Sequence, residues 1–270
     1  MNLSIAFIKL ELNIDNNPVK KMKTYIISGG GSGIGRAVAQ RLSADHTVIL
    51  CGRNINNLEA TLSLLNNPSR HHALAMDVRS LPSIQEAAKK CPVPSLDGII
   101  ANAGVGGANF FGPEDRWEDI VQTNLSGTYY FVNSFLPHLR KSSSKFKHVA
   151  IVSSILARLG VSKYAAYCAS KAGLLGLMRS WAVEMAPENI LVNAVCPGWV
   201  NTQMSQDGLE EIAQGLNITK DQFYRIAMQS VPLGKMSEPE EIAELMLYLL
   251  AQTSITGQTI DINNGAIMNS

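Results

Sequence analysis

The chain has 270 residues, 46% of them hydrophobic and 17% charged, with a formal net charge of +1 at pH 7. That is enough apolar material for one large core, and α/β chains of this length fold as one domain. So even a charge balance excludes a basic surface built for nucleic acid or for an anionic membrane.

Residues 1–21, MNLSIAFIKLELNIDNNPVKK, precede the first strand signal. Their apolar part, 3–8, is too short to span a membrane. No positive segment precedes it and no small-residue cleavage site follows, so a secretory signal is not expected. We read 1–22 as a dispensable N-terminal extension and 23–270 as the folded domain.

TYIIS at 24–28 predicts a strand, followed by a glycine cluster and a helical pattern over 34–42. TVILC at 47–51 predicts a second strand. Over 54–65, Ile55, Leu58, Leu62 and Leu65 recur at helical spacing. A third strand is expected at 73–76, then a helix at 80–90 with Pro82 in its first turn, and a fourth strand at 96–101. A long helix over 113–139, a strand at 147–152 and a helix over 164–185 follow. A strand at 191–195, a helical excursion over 203–230, a helix over 239–250 and a strand at 259–262 complete the pattern. The strands are continuous apolar runs that alternate with helices. That predicts an α/β fold, a doubly wound parallel sheet covered on both faces, with its ligand crevice at the carboxyl ends of the strands.

Cys51, Cys91, Cys168 and Cys196 are far apart and form no C-x-x-C pair, so free thiols in a reducing cytoplasm are expected. The five histidines show no metal-ligand spacing. The densest basic stretch, KSSSKFKH at 141–148, reads as a solvated loop.

Two stretches point to chemistry. SGGGSGIG, from Ser28 to Gly35, lies between a predicted strand and a predicted helix. Glycines there let the chain turn tightly and let backbone N–H groups approach a pyrophosphate. AAYCASKAG at 165–173 puts Tyr167 and Lys171 at i, i+4, on one helix face among small residues that admit a flat ligand.

The spacing Gly29-x-x-x-Gly33-x-Gly35 resembles the T-G-x-x-x-G-x-G of the short-chain dehydrogenase/reductases, with Ser28 in place of the usual Thr. Further motifs fall in the family's order. Asp77 and Val78 follow the third strand. Asn102, Ala103 and Gly104 match N-A-G after the fourth. Asn124 lies in QTNLSG, Ser154 precedes Tyr167 by 13 residues, and Tyr167 and Lys171 match Y-x-x-x-K. Pro197 and Gly198 follow the sixth strand, with Thr202 beyond them. The resemblance covers about 23–266.

It implies a single-domain Rossmann-like fold of about seven parallel strands and a nicotinamide cofactor. It implies that Tyr167 is the general acid/base, its pKa lowered from near ~10 by the Lys171 ammonium. Lys171 would also hydrogen-bond the nicotinamide ribose. Ser154 would hold the substrate carbonyl, with Ser153 as its rival. Asn124 would hold a relay water, the alternative being a satisfied core amide. Cofactor contacts are expected from Gly29, Ser32, Gly33, Ile34 and Gly35 in the turn. Further contacts are expected from Arg53, Asp77, Val78, Asn102, Ala103, Gly104, Tyr167, Lys171, Pro197, Gly198, Val200 and Thr202. NAD-specific members usually have an acidic residue where Gly52 stands, and Arg53 follows it. A guanidinium suits a 2′-phosphate, so NADP(H) is favoured over NAD(H), although Ser32 brings no second basic residue to the turn.

The substrate lid is expected over 199–230, with Trp199, Met204, Leu209, Ile212, Leu216, Phe223, Ile226 and Met228 divided between helix core and pocket. Asn109, Phe110 and Phe111 are expected to close the other side. The texture around Asn124 and after Pro197 resembles the 3-oxoacyl-thioester reductases, including polyketide ketoreductases. Reduction of a 3-oxoacyl thioester to the 3-hydroxyacyl thioester is therefore the expected reaction, with a CoA ester, or a hydroxyacyl-CoA oxidised in reverse, left open. A free ketone, or a secondary alcohol or polyol oxidised in reverse, stays open. Where carrier-protein reductases often have a basic residue after the Tyr167 helix, this chain has Ala186, Pro187 and Glu188, and the 141–147 loop is the alternative source of positive charge. A dinucleotide sensor without catalysis typically loses the Tyr or the Lys, and both are present. The resemblance implies a homodimer or homotetramer packed through the Tyr167 helix and the long helix before it, and the run at 174–185, apolar on more than one face, fits burial against a partner helix.

Overall fold

Seven apolar runs form one sheet in which every pairing is parallel, in the order β3-β2-β1-β4-β5-β6-β7. The strands are β1 (Thr24–Ser28), β2 (Thr47–Gly52), β3 (His72–Ala75), β4 (Gly98–Ala101), β5 (Lys147–Val152), β6 (Ile190–Pro197) and β7 (Thr259–Ile262). The computed structural model describes residues 22–268. The expected extension over 1–21 lies outside the described residues.

Successive side chains on a strand face opposite ways. Ile26 and Ile49 therefore point into one core, beneath α3 (Leu81–Lys89), α5 (Gly127–Arg140) and α6 (Ala165–Met185), where Phe131, Phe135 and Met178 are fully buried. Ile27 and Leu50 point into the other, against α1 (Gly33–Ser43), α2 (Ile55–Leu62) and α9 (Pro239–Ala251). This two-sided burial is why the central strands carry no polar alternation, whereas the edge strands β3 and β7 are only partly covered and β7 alternates as TIDI. Strand order reverses between β1 and β4, and the crevice opens there at the strand ends, where Ser28 pairs with Cys51 on one side and Ala101 on the other.

Two expected elements differ. The long helix over 113–139 begins only at Trp117, as α4 (Trp117–Val121), and is joined to α5 by a π turn at Gln122–Ser126. The Gly127 N–H reaches back five residues to the Gln122 carbonyl. The extra residue turns Asn124 inward, where it is fully buried. The excursion over 203–230 is two helices, α7 (Gln203–Gly215) and α8 (Lys220–Gln229). Asn217, at φ 55°, breaks the chain between them. Among the described residues no helix is long and apolar enough to cross a membrane.

Candidate active site

The glycine turn wraps the end of β1. Gly29 sits at φ +69°, and a Cβ there would lie 2.9 Å from Asn102 Nδ2 and 3.0 Å from Ala103 Cα. A Cβ on Gly35 would collide with the Gly29 carbonyl oxygen. Both positions therefore require glycine, because backbone packs on backbone. Ser32 precedes α1 without a side-chain cap, which leaves the first-turn N–H groups for an anion. Ser28 has the hydroxyl the turn needs: its Oγ accepts from the N–H groups of Asn102 and Ala103, each at 3.0 Å. Asn102 Nδ2 donates in return to the carbonyls of Ser28 and Gly29, at 3.0 and 3.2 Å. The N-A-G segment thus staples the end of β4 to the turn.

From this turn a groove runs both ways. One half is walled by Gly52, Arg53, Asp77, Val78 and Arg79. Arg53 is exposed. Asp77 is held by Arg79, whose Nη2 lies 2.7 Å from Oδ2 and whose Nε lies 3.1 Å from each carboxylate oxygen. Hydrogen bonding to the Arg79 guanidinium is the main reason its carboxyl is held below the usual range. Arg79 was not anticipated from sequence; the one available signal was its position two residues after Asp77.

The other half is lined by Ile34, Ser154, Tyr167, Lys171, Pro197, Gly198, Val200, Thr202 and Met204, with Gly29, Ser32, Gly33 and 102–105 shared or adjoining. Tyr167 and Lys171 lie on one face of α6, with Nζ over the phenol ring at 5.6 Å from its centroid. Lys171 is buried and donates to the Val152 carbonyl at 3.0 Å. Burial lowers its pKa to about 8. The Tyr167 phenol is pushed up to about 12, chiefly by burial, while a hydrogen bond with the Ser154 side chain acts the other way. The expected net lowering of the phenol by Lys171 is therefore corrected. Among the protein's own groups, burial sets the direction and the Ser154 hydrogen bond opposes it.

The adjacent serines are sorted. Ser154 faces Tyr167 and the groove. Ser153 donates to the Lys171 main-chain carbonyl at 2.9 Å. Asn124 uses both amide protons, on the Val105 carbonyl at 3.0 Å and Ser170 Oγ at 3.1 Å, and its Oδ1 accepts from Val105 N–H at 2.8 Å. One Oδ1 lone pair is left. It approaches Gly104 from the same side as Lys171 Nζ, the two atoms lying 3.1 and 3.4 Å from the place a Gly104 Cβ would take.

Thr202 caps α7 by accepting from Ser205 N–H, and its methyl lies 3.1 Å from the place a Gly33 Cβ would take. The start of α7 therefore rests on the glycine turn. Of the expected lid residues, Leu209 and Met228 are buried with Trp199 and Phe223 in a small separate core. Leu216 and Ile226 are exposed. Met204 alone of that set lines the groove. Asn109, Phe110 and Phe111 do not close the pocket. Asn109 Oδ1 accepts from Ala166 N–H at 2.9 Å and so anchors α6, while Phe110 and Phe111 point to solvent. The basic 141–147 loop precedes β5, whereas Ser154 follows it, so within one chain the loop sits at the far end of the sheet from Tyr167.

The groove fits a dinucleotide: a turn stripped of Cβ atoms, an uncapped helix start and a Tyr–Lys pair follow one another along it. The comparisons agree. A family model described as short chain dehydrogenase matches residues 23–213. The chain is 32% identical, over 90% of its length and 96% of the relative's, to 3-oxoacyl-[acyl-carrier-protein] reductase FabG of Aquifex aeolicus. It is 29% identical, over 90% and 95%, to (3R)-3-hydroxyacyl-CoA dehydrogenase of Rattus norvegicus. A variant of actinorhodin polyketide ketoreductase, solved with NADPH, superposes with a TM-score of 0.85 at 28% identity, over 91% of this chain and 97% of that one. This chain belongs to the short chain dehydrogenase family, NAD(P)-dependent oxidoreductases that interconvert carbonyl and alcohol.

Proposed function

We propose that this enzyme reduces a 3-oxoacyl thioester, on CoA or a carrier protein, to the 3-hydroxyacyl thioester with NADPH. The Tyr167–Ser154 hydrogen bond beside Lys171, at the end of the dinucleotide groove, carries the reading. Relatives named for this substrate class span nearly the whole chain.

The bound nicotinamide supplies the hydride. The turn from Gly29 to Gly35, with Asn102, Ala103, Gly104, Pro197, Gly198, Val200 and Thr202, holds it. Asp77 and Val78 flank the adenine. Ser154 donates to the substrate carbonyl and steadies the charge that develops there. Tyr167 Oη gives its proton to the same oxygen; a phenol that stays protonated through neutral pH suits a general acid in reduction. Lys171 Nζ draws the departing charge toward itself and holds the ribose. The remaining lone pair on Asn124 Oδ1 holds the water that returns the proton. Arg53 selects NADP(H) by pairing with the 2′-phosphate.

Acetoacetyl thioester and NADPH test the reaction, by loss of NADPH absorbance. Wild type turns over, and Tyr167→Phe loses about 10²-fold or more in kcat. Equal rates would overturn the assignment. Arg53→Asp raises KM for NADPH far more than for NADH; equal effects refute the cofactor reading.

Residues 1–22 are dispensable, and 23–270 suffice for activity; a truncated chain that is inactive would refute this. The enzyme assembles through α5 and α6. Their outer faces expose Tyr129, stacked on Trp181 at 6.0 Å, above a shallow apolar groove between Leu125, Tyr130 and Leu177. Sedimentation should show a dimer or tetramer, and a monomer would contradict the packing.

A further inference from the structure

Arg79 has no part in the roles above, yet it lies in the wall of the adenosine half of the groove. That wall contains a single carboxylate, Asp77, and one exposed cation besides Arg79, which is Arg53. A 2′-phosphate brought here carries close to two negative charges, so a bare carboxylate in the wall would repel it. Arg79 meets both carboxylate oxygens through Nε and Nη2, and its own backbone N–H donates to Oδ1 at 2.9 Å. Its remaining arm, Nη1, reaches Asp119 Oδ1 at 3.1 Å, and Asp119 in turn meets Arg116 at 3.4 Å. The four groups form an open line that alternates in sign, Asp77–Arg79–Asp119–Arg116. Arg53 makes no direct ion pair among the described residues, and its charge reaches Asp77 only at longer range, as the weakest of the pulls that lower that carboxyl.

Individually, ion pairs this exposed add little to stability. Their effect on a divalent anion is another matter, because the pairing decides whether Asp77 presents a charge and free lone pairs to the ligand or neither. We propose that Arg79 is a specificity-determining positioning residue: by clamping Asp77 it removes the one carboxylate that would oppose a 2′-phosphate and leaves Arg53 unopposed. The inference rests on the NADP(H) reading above. It also accounts for the absence of a second basic residue at Ser32: the wall reaches a positive balance by cancelling an acid, not by adding a base.

Dinucleotide binding by calorimetry, without substrate, tests this on the full chain. The quantity read is Kd for NADH divided by Kd for NADPH, at low and at high salt. Arg79→Ala should lower that ratio about tenfold at low salt. High salt should shrink the difference. Adding Asp77→Asn to Arg79→Ala should restore the ratio, because the liberated charge is then gone. Arg79→Lys should fall between, since an ammonium neutralises Asp77 without occupying both oxygens. Thermal melts of each variant establish that it is folded. An unchanged ratio in Arg79→Ala overturns the inference alone. A lowered ratio that Asp77→Asn fails to restore also overturns it, and would mean that Arg79 touches the phosphate itself. A wild type that binds NADH at least as tightly as NADPH overturns the NADP(H) reading and this inference together.

Discussion

Ser153 donates its hydroxyl to the main-chain carbonyl of Lys171 at 2.9 Å, and so ties the end of β5 to the helix that bears the Tyr–Lys pair. Its neighbour Ser154 caps the short turn that follows, accepting from Leu156 N–H at 3.1 Å, and shares a hydrogen bond with Tyr167. One serine is bonded to the main chain of α6, and the other meets the Tyr167 side chain, which is where the proposed reaction needs it. Ser154→Ala should lower kcat by about 10²-fold with little change in melting temperature. Ser153→Ala should keep most of kcat and lose about 1 kcal/mol of stability. Steady-state kinetics and thermal melts of the two variants check this. The reverse pattern would exchange their roles.

Lys171 sets the pH behaviour. Its folded pKa of about 8 lies below the value of a free lysine, so between them the unfolded chain binds more protons. Stability should rise with pH from about 8 toward the lysine value, and the penalty should be full below 8. Tyr167, raised to about 12, acts in the opposite direction above the free phenol value. Lys171→Met should therefore be more stable than wild type at neutral pH, by about 2 kcal/mol, while losing activity. In wild type, kcat/KM for reduction should fall as pH rises through about 8, where the ammonium is lost. Melts and rates across this range check both.

Asn124 holds the loop after β4 to α6 through Val105 and Ser170. Asn124→Ala leaves the half-buried Val105 N–H and carbonyl without these partners, which should cost about 1–3 kcal/mol. Asn124→Asp has no amide proton to give to Val105 and should be as harmful. Chemical denaturation of both variants measures this. A loss of activity at unchanged stability would instead assign the side chain to the water relay alone.

Gly35→Ala drives a Cβ into the Gly29 carbonyl oxygen and to 2.6 Å from Asn102 Nδ2, and backbone cannot step aside. It should weaken dinucleotide binding about 10²-fold or more and cost about 2–3 kcal/mol. Gly208, inside α7, meets nothing within 4 Å of its added Cβ. Gly208→Ala should stabilise the chain by about 0.5–1 kcal/mol and leave binding intact. Calorimetric binding and melts separate the two.

Much of this molecule is legible along the chain. The apolar runs at 24–28, 47–51 and 147–152 are strands because a buried parallel strand needs no polar face. The positions of Gly29, Gly33 and Gly35, and the i, i+4 pairing of Tyr167 with Lys171, follow from backbone freedom and helical period, which are local properties. The relations between distant residues are not local. Nothing near Arg79 in the chain shows that it faces the same groove as Arg53, or that Asp119 takes its other arm. The π turn places Asn124 against Val105, 19 residues away in the chain. Whether Ser153 or Ser154 faces Tyr167 depends on how the end of β5 meets α6. The rise of the Tyr167 pKa comes from burial, which belongs to the packed molecule. Local chemistry names the groups that can react, and folding decides which of them meet and in what dielectric they do so.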